Sequence, residues 1–194
     1  MSTRRWLPLV LAVIVWAAPA AAGPGTHAGT FLKLLGGTRH AALGGAQAAL
    51  PDGAESMFGN PATLMQLDRP AASFLQNFSI ADMRLHQAAL TMPLNSRTAA
   101  GIGIGYMDYG AIPGRDASGY DIGNRSAGDL DLVLAGAWRP HDVVAIELAG
   151  KYLRSSLDGI HAQTGAVDIG LTVRSANRRW CGGVMLQHWG GDLQ

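Results

Sequence analysis

Asp129-Leu130-Asp131-Leu132-Val133-Leu134-Ala135-Gly136-Ala137-Trp138 is the stretch that decides the fold. Leu130, Leu132, Leu134 and Trp138 share one parity; Asp129, Asp131, Ala135 and Ala137 share the other. A period of two marks a β-strand with two unlike faces. The same alternation recurs, strand after strand, from Gly101 to Thr172. The apolar face is the continuous one, and the charged residues fall opposite it. That pattern suits a sheet whose outside meets lipid and whose inside meets water or a polar filling.

The chain begins with an export signal. Arg4 and Arg5 supply a positive start, Leu7 to Ala18 an apolar run broken only by Pro8, and Ala20-Ala21-Ala22 a small-x-small cleavage site. The run is too short to cross a bilayer as a helix, and Pro19 and Pro24 break it off. Residues 1–22 therefore read as a cleaved secretory leader. No later run is apolar and long enough for a spanning helix. Lys and Arg total 15 and Asp and Glu total 14, so loss of Arg4 and Arg5 leaves thirteen basic residues against fourteen acidic ones. A near-zero net charge argues against nucleic acid as a partner. Cys181 is the sole cysteine, which excludes a disulfide framework and a thiolate metal site.

Residues 23–69 differ from the rest, being rich in Ala and Gly without a strand pattern. Ala41 to Leu50 reads as a short, weak helix or an irregular packed segment. Asn60-Pro61-Ala62 is a sharper signal. Asn is a good N-cap, and Pro suits the first helical position because its missing N–H is unpaired there anyway. A short helix from Pro61 to Leu67 is expected. Residues 70–194 read as strands near Ala71–Asn77, Arg84–Pro93, Ala99–Tyr109, Gly128–Trp138, Val143–Arg154, Gln163–Ser175 and Trp180–His188. Short turns at Asn95-Ser96-Arg97, Pro140-His141-Asp142 and Ala176-Asn177-Arg178 alternate with longer loops at Gly110–Arg125 and Ser155–Ala162. Outer-membrane barrels alternate short turns and long loops in this way. Trp138 and Trp180 flank the short turns, and Tyr106, Tyr109 and Tyr152 lie near the longer loops, as two interfacial girdles would.

Gly101-Ile102-Gly103-Ile104-Gly105 superficially matches a dinucleotide loop, but its glycines alternate within a strand and no helix follows. Glycine there is better read as making room on the inner face for another segment. His27, His40, His86, His141, His161 and His188 are scattered singly, without metal-ligand spacing. Ser126, Ser155 and Ser156 sit in loop-like settings with no nucleophile elbow. No acid–base or nucleophilic set assembles, so neither catalysis nor a cofactor is expected. Asp129, Asp131, Glu147, Lys151 and Asp168 share the inward parity on three consecutive strands. A three-residue turn at Pro140 would set Asp131 across from Lys151, with Asp168 on the other side. Inward charges must pair or meet water. Neutralisation of the wall fits them better than substrate passage. Cys181 shares the inward parity and reads as a small buried filler.

Gly25 to Leu34 is followed by Arg39-His40-Ala41-Ala42-Leu43-Gly44-Gly45-Ala46, then by Asp52, Glu55-Ser56-Met57-Phe58-Gly59-Asn60-Pro61-Ala62 and Leu64. This ordered set resembles the PorV/PorQ family, related to FadL-type transporters of hydrophobic compounds. Tyr106 to Gly114 and Lys151 to Asp158 resemble family strand ends. Gly59 stands where members often carry an aromatic residue, and Thr63 where many carry Gly. The resemblance implies an all-β, antiparallel up-and-down outer-membrane barrel of about fourteen strands. It also implies an N-terminal plug carrying Asn60, Pro61 and Ala62, and an outer-membrane location. The implied partners are outer-membrane lipid and either hydrophobic small molecules or proteins of a secretion machine. Seven strands are an odd count with two open edges, so this chain is expected to be the N-terminal part of such a barrel. The competing expectation is a soluble periplasmic β-protein acting as a binding or assembly module.

Leader removal is expected after Ala22. N-terminal sequencing of envelope material should begin at Gly23; finding Met1 or Ser2 would instead mark an uncut anchor.

Overall fold

The computed structural model describes residues 29–191, so the expected leader and His27 lie outside the described residues. Seven strands form one antiparallel sheet in chain order: β1 Ala71–Phe78, β2 Arg84–Asn95, β3 Thr98–Arg115, β4 Asp121–His141, β5 Val144–Leu157, β6 Ile160–Arg174 and β7 Cys181–Gly190. Each strand pairs with its sequence neighbours, an up-and-down meander. Within it β1 and β7 are each paired on one side only.

The sheet alternates strictly, with its polarity inverted relative to a water-soluble wall. Val133, Ala135 and Ala137 are buried on β4, while Leu132, Leu134 and Trp138 between them are exposed. On β5, Ala145, Glu147, Ala149, Lys151 and Leu153 are buried, and Ile146, Leu148 and Tyr152 face outward. β6 buries Ala166, Asp168 and Thr172 and exposes Val167, Ile169 and Val173. Leu130, Val144 and Leu171, also expected to point outward, are half-buried.

Residues 29–67 lie against the inner face. They form 3₁₀ turns at Thr30–Leu34, Glu55–Phe58 and Pro61–Gln66 and one short helix, α1, Gly37–Ala42. The core sits between this segment and the sheet. Leu35, Met57, Phe58, Leu64 and Met65 pack onto Leu85, Ala89, Met107, Val133 and Ala135. The inner face is small because the segment must come close. A Cβ on Gly105 would lie 2.6 Å from Leu35 Cδ2, and one on Gly103 would lie 3.1 Å from Phe58 Cζ and 2.8 Å from Val133 Cγ1. A Cβ on Gly101 would strike Met57 Sδ. The alternating glycines thus form the bed under three apolar side chains, not a nucleotide loop.

The structure corrects several expectations. Gly110–Arg125 is not a long loop: β3 runs to Arg115 and β4 starts at Asp121. These strands reach 18 and 21 residues, roughly 60–70 Å at the usual rise per residue. Ser155–Ala162 is also strand, closed by Asp158-Gly159, both at positive φ (51° and 84°). A two-residue type I′ hairpin demands that conformation, and Asp-Gly is its usual sequence. The alternation of short turns with long loops is therefore absent as drawn. The β4–β5 turn is two residues, Asp142-Val143, with a register shift between Trp138 and His141. Asp131 consequently lies opposite Leu153, and Lys151 opposite Val133.

Replacing Gly103 with Val should destabilise the fold by about 1–3 kcal/mol through overpacking. Denaturation should show the loss, and limited proteolysis should cut the N-terminal segment faster.

Candidate functional site

The inner face gathers the charges. Lys151 Nζ pairs with Asp168 Oδ2 at 2.7 Å, with both side chains almost wholly buried. The backbone N–H of His188 donates to Asp168 Oδ1 at 2.7 Å, and the His188 ring nitrogen Nδ1 lies 3.8 Å from the same oxygen. This bond is made by a bulge. The β6–β7 register shifts between Val167 and Ile169, and His188 takes φ 59°. Asp168 therefore fills with its carboxylate the gap left in the ladder.

Asp131 and Glu147 share this buried face, and none of their four carboxylate oxygens has a hydrogen-bond partner among the described residues. Three carboxylates thus surround one ammonium. A buried charge without a partner is costly, so this cluster stores unmet hydrogen-bonding capacity directly beneath the N-terminal segment. Asp129 stands apart, accepting a 2.6 Å hydrogen bond from the Tyr109 hydroxyl. Of the five inward charges read from the sequence, Lys151 and Asp168 are in direct contact, Asp131 and Glu147 lie unpaired beside them, and Asp129 is engaged elsewhere. Tyr109 therefore points inward and leaves the outward aromatic set.

Asn60 joins the segment to the sheet. Its Oδ1 accepts from the Ala62 N–H at 3.1 Å, and Pro61 occupies the first turn of the 3₁₀ helix. Its Nδ2 donates to Ala48 O at 2.6 Å and lies 3.5 Å from Leu171 O on β6. Thr63 Oγ1 donates to Asn60 O at 2.8 Å, closing the turn from the other side. Gly170 is required below, because a Cβ there would strike both Asn60 Oδ1 and Glu147 Oε2. The cap of the 3₁₀ helix thus rests on the acidic cluster.

Further polar ties were not visible in the sequence. Gln87, on β2, accepts from the Gly36 N–H at 3.2 Å and donates to Leu34 O. Gln187, on β7, donates to Gly59 O at 3.0 Å. Cys181 is exposed rather than buried, with Sγ 3.1 Å from Ala49 O. Its position next to the β6–β7 turn explains the difference. Ser156 lies within β5 and donates to Gly128 O at 3.0 Å, a ladder tie rather than a loop nucleophile. His141 and His161 are exposed strand-end residues. Glu55, partly buried beside Gly37, has its carboxyl raised above the ordinary value, first by burial and then by Asp52. The folded segment therefore favours the protonated acid: that contribution is full below the unfolded pKa and is lost as pH rises through the raised value.

The outer face is equally ordered. Trp138 marks one end of the apolar band, and Tyr106 and Tyr152 mark the other. Tyr106 lies level with Leu130, and Tyr152 with Leu132. The band is thus six to eight residues long, about 20–26 Å along the strand. Just beyond the tyrosines the outward positions turn polar at Arg84, Asp108, Arg154 and Gln163, and farther out Ile112, Ile122, Leu157 and Ile160 are again exposed. Among the described residues no helix is long and apolar enough to cross a membrane, and no group of His, Cys, Asp and Glu could hold a metal ion. Comparison with known proteins finds no matching family model and no matching curated protein.

Lys151→Met should cost about 3–5 kcal/mol, because Asp168 is left as a lone buried charge. Asp168→Asn in the same chain should recover part of that loss. Urea or guanidinium titration of the two variants checks the order.

Proposed function

We propose that this chain builds part of the wall of an outer-membrane β-barrel of the PorV/PorQ type and that residues 29–67 act as its plug. One observation carries the reading. The large outward side chains of β3–β6 are apolar over a continuous band bounded by aromatic residues, while the charges between them are buried inward. Water has no use for that arrangement, whereas lipid requires it. The aromatic residues at both ends of the band and the polar residues beyond them support the same orientation.

Strands of 18 and 21 residues exceed the 9–11 needed to span a bilayer. The β3–β4 hairpin accordingly projects beyond the membrane on the side of Asp116. Backbone groups at a free edge are costly in hydrocarbon, so β1 and β7 must each gain a neighbour, from further strands or from a second copy. A closed wall filled by the N-terminal segment would admit hydrophobic small molecules or serve a secretion machine, and the plug decides when the lumen opens. The soluble periplasmic alternative would need a cover for the entire outward apolar face.

Leu134→Arg and Leu148→Arg should each cost roughly 2–4 kcal/mol in a bilayer, as midplane lipid-facing charges do. Folding should be followed by heat-modifiable gel mobility in detergent and in vesicles. Extraction of the wild-type chain from envelopes without detergent, with both variants as stable as wild type, would leave the soluble module standing.

A further inference from the structure

The sheet has a basic end. Arg69, Arg97, Arg139, Arg174, Arg178 and Arg179 cluster where β1 starts and the β2–β3, β4–β5 and β6–β7 turns lie; among the described residues only Asp68 and Asp142 oppose them there. At the other end Arg125 pairs with Asp158 and Arg115 donates to Gly119 O at 3.0 Å, while Arg84 and Arg154 stand apart on the outward parity. Among the described residues the guanidinium groups of Arg139, Arg174 and Arg178 make no hydrogen bond and no ion pair.

These three arginines line two adjoining cavities, of about 640 and 400 Å³, together with Met65 and Gln66 at the end of the Pro61–Gln66 turn. Arg139 and Arg174 are half-buried and lie on the inward parity of β4 and β6. Arg178 reaches the space from the β6–β7 turn, where it holds φ 56°. Asp142 lines one cavity and Asp68 the other, each outnumbered by the three arginines. Leu64, Leu67 and Pro93 give the larger cavity an apolar wall.

Three unpaired guanidinium groups around one space repel each other unless an anion joins them. Guanidinium forks suit phosphate oxygens because they bind in bidentate fashion. The volume matches that of small-molecule sites. We propose that this mouth is a binding site for a phosphate group, carried either by a free phosphate compound or by a lipid headgroup whose apolar part lies against Leu67 and Pro93. The site is read from the arginines at one sheet end and does not rest on the lipid-facing assignment.

The test uses the full chain folded in dodecyl maltoside, with folding verified by circular dichroism. Titration calorimetry at low salt would use inorganic pyrophosphate in one arm and dihexanoyl phosphatidic acid in the other, with dihexanoyl phosphatidylcholine as the zwitterionic control. Tighter binding of pyrophosphate indicates a free phosphate ligand, and tighter binding of phosphatidic acid a headgroup; either supports the site. Arg139→Gln/Arg174→Gln should weaken binding about tenfold or more, the loss expected for charge-assisted hydrogen bonds. Arg115→Gln, at the opposite end, should leave it unchanged. If the double variant does not fold, Arg178→Gln in the exposed turn is titrated instead and should weaken binding severalfold. Absence of binding by both phosphate ligands, no preference over phosphatidylcholine, or equal weakening by Arg115→Gln would overturn the proposal.

Discussion

Everything in this molecule follows from a wall that is thick on the outside and thin on the inside. Within the apolar band leucine, isoleucine, valine, tyrosine and tryptophan occupy most outward positions of β3–β6, while the inward positions are mostly glycine, alanine and threonine, with Met107, Val133, Leu153 and the charges Asp129, Asp131, Glu147, Lys151 and Asp168 among them. A sheet that turned these faces round would bury its leucines but put Asp131, Glu147, Lys151 and Asp168 on the outside, and its bulky inner face would leave residues 29–67 no room. The small inner residues let residues 29–67 come within contact of the strands. The core therefore consists of side chains from the segment, Leu35, Met57, Phe58 and Leu64, pressed onto glycine and alanine.

That close approach turns local details into shared constraints. Asn60 caps a 3₁₀ turn, bonds to Ala48, and rests above Gly170 and Glu147. Asp168 serves two strands at once, pairing with Lys151 and receiving the His188 N–H. Asp131 and Glu147 lie unpaired on the same buried face, Glu147 beside Asn60.

The strand order and two faces were legible because they rest on the sharpest signal a sequence carries, a period of two maintained across successive strands. The Asn60-Pro61 turn was legible because cap chemistry is local. What escaped depends on partners distant in sequence. Asp168 meets His188 only because β7 bulges there. Tyr109 turns inward because Asp129 waits for its hydroxyl. Asp131 faces Leu153 rather than Lys151 because a register shift near the Asp142-Val143 turn moves the ladder. Beyond Gly110 the β3–β4 hairpin leaves the apolar band, so its residues lose the alternation that would mark them as strand. Asp158-Gly159 was a readable hairpin signal, hidden by the polar Ser155 and Ser156 beside it. The 3₁₀ turns at Thr30–Leu34 and Glu55–Phe58 have weak local propensity and exist because the glycine bed accepts Leu35, Met57 and Phe58.

The two faces can be separated directly by single cysteines at Leu134 and Leu148 and at their neighbours Ala135 and Ala149, with Cys181 replaced by Ser. The protein would be folded into phosphatidylcholine vesicles in two samples, one with free cysteines exposed to a water-soluble maleimide and one carrying a bimane fluorophore on each cysteine exposed to a lipid-soluble quencher. A lipid-facing wall predicts that positions 134 and 148 resist the maleimide and are quenched from the lipid, while positions 135 and 149 are untouched by the quencher. Equal response at both parities, or maleimide labelling of 134 and 148 in vesicles, would contradict it.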